Sequence, residues 1–150
     1  MAKAILLAED SPDHEALFKL VLEEIGVGNP VMVVRDGIEA IAYLKGEGKF
    51  ADRLIHPLPD ILFLDLKMPR AGGFEVLEWL HDRPSLRNKL LVFVLSSFGD
   101  TQAIRRAYDL GANSFLSKPF TTEACEDLIR HFAGYWMRSD TADCDAGKSG

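Results

Sequence analysis

Short apolar runs alternate with amphipathic stretches along the whole chain. "AILLA" (4–8) reads as a buried strand. The following "PDHEALFKLVLEEIG" carries Leu17, Leu20, Val21 and Ile25 at helical spacing, with Ser11 as N-cap and Pro12 in the first turn. "PVMVV" (30–34) is a second strand and "GIEAIAYLKGE" (37–47) a second helix. "ILFLDL" (61–66) is a third strand, and "GFEVLEWLHD" (73–82), with Phe74, Val76, Leu77 and Leu80, a third helix. "LLVFVLS" (90–96) and "DTQAIRRAYDLG" (100–111) form the fourth pair, with Gly111 closing the helix. "NSFLS" (113–117) is the fifth strand. "TTEACEDLIRHFAGYWM" (121–137) reads as a fifth helix, with Ala124, Leu128, Phe132 and Trp136 spaced by four.

Five successive strand–helix units with continuous apolar strands predict an α/β fold with a doubly wound parallel sheet, covered on both faces. Right-handed crossovers favour the flavodoxin-like (βα)5 arrangement, with strand order 2-1-3-4-5. The segment 48–59, with Pro57 and Pro59, is longer than usual for its place and reads as an inserted loop. The end, "SDTADCDAGKSG" (139–150), has almost no apolar content. The expected organisation is one domain over 1–138 and a disordered tail over 139–150.

Composition adds limits. With 150 residues, 47% of them hydrophobic, the chain can bury a full core. The net charge of −6 argues against a nucleic-acid surface. Cys125 and Cys144 have no metal or redox spacing and point to free thiols in a reducing compartment. No apolar run spans a membrane, and the N-terminus does not read as a signal peptide, so a cytoplasmic protein is expected. His14, His56, His81 and His131 are scattered and form no ligand set.

Chemistry is expected beyond the carboxyl ends of the strands, near the switch in strand order. Glu9 and Asp10 follow strand one, and Asp65 ends strand three. Ser96 and Ser97 end strand four, and Lys118 and Pro119 follow strand five. Taken singly, Asp10 reads as a helix cap, Ser96 as a turn residue and Lys118 as a surface lysine. Together they bring three carboxylates, hydroxyls and a lysine to one edge. Three carboxylates repel unless a cation joins them, and an all-oxygen set favours Mg2+. With a lysine and hydroxyls to hold oxygens, phosphoryl chemistry follows, an aspartate acting as nucleophile.

The pieces "LLAEDS" (6–11), "ILFLDLKMPRAGG" (61–73), "VFVLSS" (92–97) and "SFLSKPF" (114–120) resemble the receiver domain of two-component response regulators, over about residues 3–135. The resemblance implies that Asp65 is the phosphoacceptor, taking a phosphoryl group from the phosphohistidine of a sensor histidine kinase. It makes Glu9, Asp10 and Asp65, with the backbone carbonyl of Lys67, the Mg2+ site. Ser96 is then the switch hydroxyl, Lys118 the phosphate-binding lysine and Phe115 the switch aromatic, and the bond before Pro119 is cis. Phosphorylation would bias the surface of the fourth helix, fifth strand and fifth helix toward partner binding or dimerisation. The protein would then be a phosphoacceptor and not an enzyme acting on other substrates, catalysing only its own phosphorylation and dephosphorylation. Departures from the common pattern are Glu9, Ser96 in place of Thr, Gly72 in place of an acid, and Phe115 without a Tyr hydroxyl. Lys67 and Phe98 flank the site and would tune phosphate lifetime.

The loop 46–59 and the aromatic end "HFAGYW" (131–136) resemble small single-domain regulators of phytochrome-type kinases. Tyr135 and Trp136 either cap the core or face a partner, and exposed apolar residues of the last helix would pair two chains as a homodimer. Two other functions compete. A Mg2+-dependent phosphatase-like hydrolase would need an aspartate two residues after the nucleophile, where Lys67 stands. A degenerate receiver acting as a scaffold would not need the intact site.

Overall fold

The computed structural model describes residues 3–97 and 100–137. In chain order it contains β1 (Ile5–Ala8), α1 (Pro12–Glu24), β2 (Val31–Val34) and α2 (Gly37–Lys45). Then come β3 (Ile61–Asp65), α3 (Gly73–His81), β4 (Leu91–Ser97), α4 (Thr101–Asp109), β5 (Ser114–Lys118) and α5 (Thr122–His131). The five strands form one parallel sheet in the order β2-β1-β3-β4-β5, as the strand–helix alternation predicts.

Side chains alternate between the two faces of a strand. Leu6, Leu62, Leu64, Val92 and Val94 pack on the face covered by α2, α3 and α4. Ile5, Leu7, Ile61, Phe63, Phe93 and Leu116 pack on the opposite face, against Phe18 and Val21 of α1 and Leu128 and Ile129 of α5. Every residue of β1 and β3 is buried, which is why these strands carry no polar alternation. The parity matters at the strand ends. Counting in twos from Leu7, Phe63 and Leu116 leads to Glu9, Asp65 and Lys118, all on the α1/α5 side.

The helix ends follow their caps. The Ser11 hydroxyl accepts from the His14 N–H at 3.3 Å, with Pro12 in the first turn. Asp36 caps α2, Asp100 caps α4 and Thr121 caps α5. A one-turn helix, Pro84–Arg87, precedes β4 in a stretch to which the apolar pattern assigns no element.

The fifth helix is shorter than its spacing predicts: it ends at His131, not at residue 137. Phe132 leaves helical geometry and Gly134 takes a positive φ of 97°. The chain turns there, and Trp136 stacks on Phe93 at 6.1 Å while Phe132 meets the same ring edge-on at 5.0 Å. Tyr135 and Trp136 pack against the α1/α5-side core, which is the capping alternative. Asn29 ties the segment down: its amide N–H donates to Lys3 O (2.7 Å) and Tyr135 O (2.9 Å), and its carbonyl accepts from Met137 N (2.5 Å).

The inserted segment 48–59 is built on α2. It begins with a 3-10 turn, Gly48–Phe50, and Arg53 donates back to Tyr43 O, Leu44 O and His56 O. This fastening covers the carboxyl end of α2 and leaves Leu54 and Ile55 exposed to solvent.

Candidate functional site

The register of the sheet aligns the chemistry. Ala8 pairs with Leu64, Asp65 with Leu95, and Ser97 with Lys118. Glu9 and Asp10 therefore emerge beside Asp65, and Lys118 reaches them from the far side of β4. Asp65 is buried at 5% exposure, Glu9 at 1%, and Asp10 is exposed at the rim. Oxygens of Glu9, Asp10 and Asp65 lie within 4.8 Å of one another. Asp10 and Asp65, with Ser11, His14, Ser96 and Lys118, line a cleft of about 270 Å³.

Lys118 holds the buried carboxylates together. Its Nζ lies 2.8 Å from Asp65 Oδ2 and 2.6 Å from Glu9 Oε1. Burial opposes its charge, but the bonds to Asp65 and Glu9 outweigh burial and hold its pKa above the usual lysine value. Glu9 is pushed the other way. Burial, with the nearby Asp65 charge, raises its carboxyl above the ordinary range, against the pull of Lys118 and the Ser11 N–H. One ammonium does not neutralise three carboxylates, so the cluster stays net negative. Glu9 Oε1 is also buried, and its contact is the 2.6 Å ion pair with Lys118, an ammonium it shares with Asp65 and His14. An all-oxygen, electron-rich set around one shared ammonium fits a hard divalent cation.

The backbone around Asp65 is fixed closely. Its Oδ1 accepts from the Lys67 N–H at 2.9 Å. Gly73, at the start of α3, sits so near that a Cβ there would stand 2.5 Å from Asp65 O. The Lys118–Pro119 bond is cis, as the resemblance implies.

Ser96 is buried and lines the cleft, with its hydroxyl directed to the Ser97 carbonyl at a long 3.4 Å. Phe115 lies on the other sheet face, half-exposed and edge-on to Tyr108 at 6.4 Å. Lys67 presents its side chain to solvent. Asp10 is not the helix cap; Ser11 is. Phe98, Cys144 and the tail 139–150 lie outside the described residues. Cys125 is buried, and burial, with Glu126, pushes its thiol up to about 11, so it packs and does not react.

His14 is the site residue that the sequence reading missed. Its Nδ1 lies 3.0 Å from Lys118 Nζ and 3.6 Å from Glu9 Oε2. Its position did hold a clue. It stands in the first turn of a helix that starts directly after the acidic pair, and helical side chains lean toward the N-terminus.

Comparison with known proteins agrees with this architecture. The response regulator receiver domain model matches residues 5–130. The response regulator Rcp1 of Synechocystis is 28% identical over 139 residues, covering 93% of this chain and 92% of its own. The Mn(2+)-bound structure of Rcp1 superimposes with a TM-score of 0.71 at 29% identity, covering 86% of this chain and 90% of that one. RPA3017, a response regulator in red light signalling of R. palustris, gives 0.80 at 30% identity, covering 91% and 97%. The phosphorylated cyanobacterial phytochrome response regulator RcpA gives 0.73 at 32% identity, covering 91% and 94%. A buried aspartate at the end of β3, bridged by a lysine to an acidic pair after β1, thus sits within a chain that belongs to the response regulator receiver domain family of two-component phosphoacceptors.

Proposed function

We propose that Asp65 is the phosphoacceptor, receiving its phosphoryl group from a sensor histidine kinase. The observation that carries this is the geometry at its carboxylate: Oδ2 on Lys118 at 2.8 Å, beside Glu9 and Asp10, at the open end of the sheet. Glu9, Asp10 and Asp65, with the Lys67 carbonyl, would hold Mg2+; the bound ion supplies the positive charge that this acidic cluster lacks. A carboxylate oxygen of Asp65 attacks phosphorus in line. The nitrogen–phosphorus bond of the phosphohistidine breaks and its electron pair returns to the imidazole. Lys118 donates to a phosphoryl oxygen. The Ser96 hydroxyl then turns from its long contact toward the phosphoryl group, and Phe115 moves inward. That biases the α4–β5–α5 surface for partner binding or dimerisation.

On this reading the protein is a signalling phosphoacceptor and not an enzyme acting on other substrates. The red-light and phytochrome descriptions of RPA3017 and RcpA favour a phytochrome-type kinase as donor. Pairing of two chains through the C-terminal helix region belongs to the same proposal. The net charge of −6 disfavours a nucleic-acid partner. No helix among the described residues is long and apolar enough to cross a membrane, in keeping with action in the cytoplasm.

The test is incubation with acetyl phosphate and Mg2+. One phosphoryl group, released by hydroxylamine as expected for an acyl phosphate, should appear on the native chain and be absent from Asp65→Asn. Labelling that survives this substitution overturns the assignment.

A further inference from the structure

We propose that His14 is a positioning residue of this site: it is the third acceptor of the Lys118 ammonium and competes with the incoming phosphoryl oxygen for one N–H. The inference rests on the assignment of Asp65 as phosphoacceptor.

An ammonium has three donors and no acceptor. Lys118 Nζ has three neighbours at bonding distance: Glu9 Oε1 at 2.6 Å, Asp65 Oδ2 at 2.8 Å and His14 Nδ1 at 3.0 Å. Its donors are therefore spoken for. Because the ammonium can only donate, His14 Nδ1 accepts, and the ring proton sits on Nε2. Lys118 must give up one of these partners to bind a phosphoryl oxygen. The two carboxylate bonds pair opposite charges, whereas the His14 bond pairs a charge with a neutral nitrogen and is the longest of the three. Bonds between ions are the stronger class, so the His14 bond is the one that yields.

The position of His14 suits this role. Its side chain is 48% exposed and lines the cleft, on the side of Lys118 turned toward α1. Its backbone N–H is held by the Ser11 cap, so the first turn of α1 fixes the ring over the lysine. The bond holds Lys118 back toward α1, and its loss frees one donor for the phosphoryl group.

Beryllofluoride, which occupies a carboxylate as a phosphoryl group does, probes this at equilibrium. Its dissociation constant is measured by fluorine NMR with Mg2+ in excess, for native, His14→Ala, His14→Asn and Asp65→Asn chains. His14→Ala should bind about three- to tenfold more tightly, the equivalent of one hydrogen bond released. His14→Asn should stay within about twofold of native, because its Oδ1 sits where Nδ1 does along the side chain. Should His14→Ala fail to fold, His14→Gln takes its place, since its acceptor lies one bond too far out. Unchanged or weaker binding by His14→Ala, or His14→Asn behaving like His14→Ala, overturns the role of His14 while leaving Asp65 intact. Binding that persists in Asp65→Asn, or none by the native chain, overturns the reading of the site and the inference with it.

Discussion

Asp65 ends a strand whose residues are all buried, and its own backbone is as constrained as its side chain. Gly73 is the residue that permits this. A Cβ at that position would stand 2.5 Å from Asp65 O and 2.8 Å from the Leu66 Cα, and both are backbone atoms that cannot rotate away. Gly73→Ala must therefore move the end of β3 or the start of α3. The expected cost is about 1–3 kcal/mol in urea unfolding, the usual range for forced overpacking. Acetyl phosphate labelling of the folded variant should also slow, because the displaced atoms carry Asp65; labelling at the native rate would show that the strain is absorbed elsewhere. Asp65, Glu9 and Lys118 were legible in the sequence because a strand has a period of two and their positions are simple continuations of it. His14 was not. Its contact depends on the angle at which α1 leaves β1, and no one-dimensional pattern records that angle.

The loop after Asp65 is held by α2, an element remote in sequence. The Gly37 N–H donates to Ala71 O at 2.8 Å, an approach that a Cβ on Gly37 would block at 2.5 Å. Beside it, Asp36 accepts the Glu39 N–H on Oδ1 at 2.8 Å and Arg70 Nε on Oδ2 at 2.8 Å. Arg70 reaches it from a left-handed backbone, φ 63°. Burial works to raise the Asp36 carboxyl, but the Glu39 N–H and the Arg70 guanidinium outweigh it and hold its pKa below the ordinary 3.8. A lowered folded pKa means that the unfolded chain binds the proton more readily. The stabilisation is therefore complete above 3.8 and is lost as pH falls through the lower, folded value. Asp36→Asn keeps a good helix cap but removes the charge. The native chain should exceed this variant by roughly 0.5–1 kcal/mol at neutral pH, since solvent screens the exposed Arg70. Paired urea titrations should find that margin shrinking in acid; a constant margin would mean that the ion pair contributes nothing. Elements built on local caps, such as α1 and α2, were readable. The end of α5 was not, because Phe132 and Trp136 keep helical spacing while Gly134 lets the chain turn them onto Phe93 instead.

Across the molecule, the sheet gathers three carboxylates at one end and sets a single, partly buried ammonium, Lys118, against them. The order β2-β1-β3-β4-β5 makes this unavoidable, because it sets β1 beside β3 and leaves their acidic ends adjacent. The fold thus carries a local repulsion that a bound cation relieves, and relief in the folded state alone is stabilisation. Mg2+ at ten times its dissociation constant should raise the unfolding free energy by about 1.4 kcal/mol, with no binding to the unfolded chain. Asp10 separates this effect from ordinary salt screening. It is exposed, and among the described residues its carboxylate joins the acidic cluster without a hydrogen bond or ion pair of its own. Asp10→Ala should leave metal-free stability unchanged or slightly higher, because a repelling charge is gone, while the Mg2+-dependent gain disappears. Urea unfolding of both chains, in Mg2+ and at matched ionic strength without it, reads the two effects in opposite directions. A variant that lost metal-free stability and kept the Mg2+ gain would place the cation elsewhere.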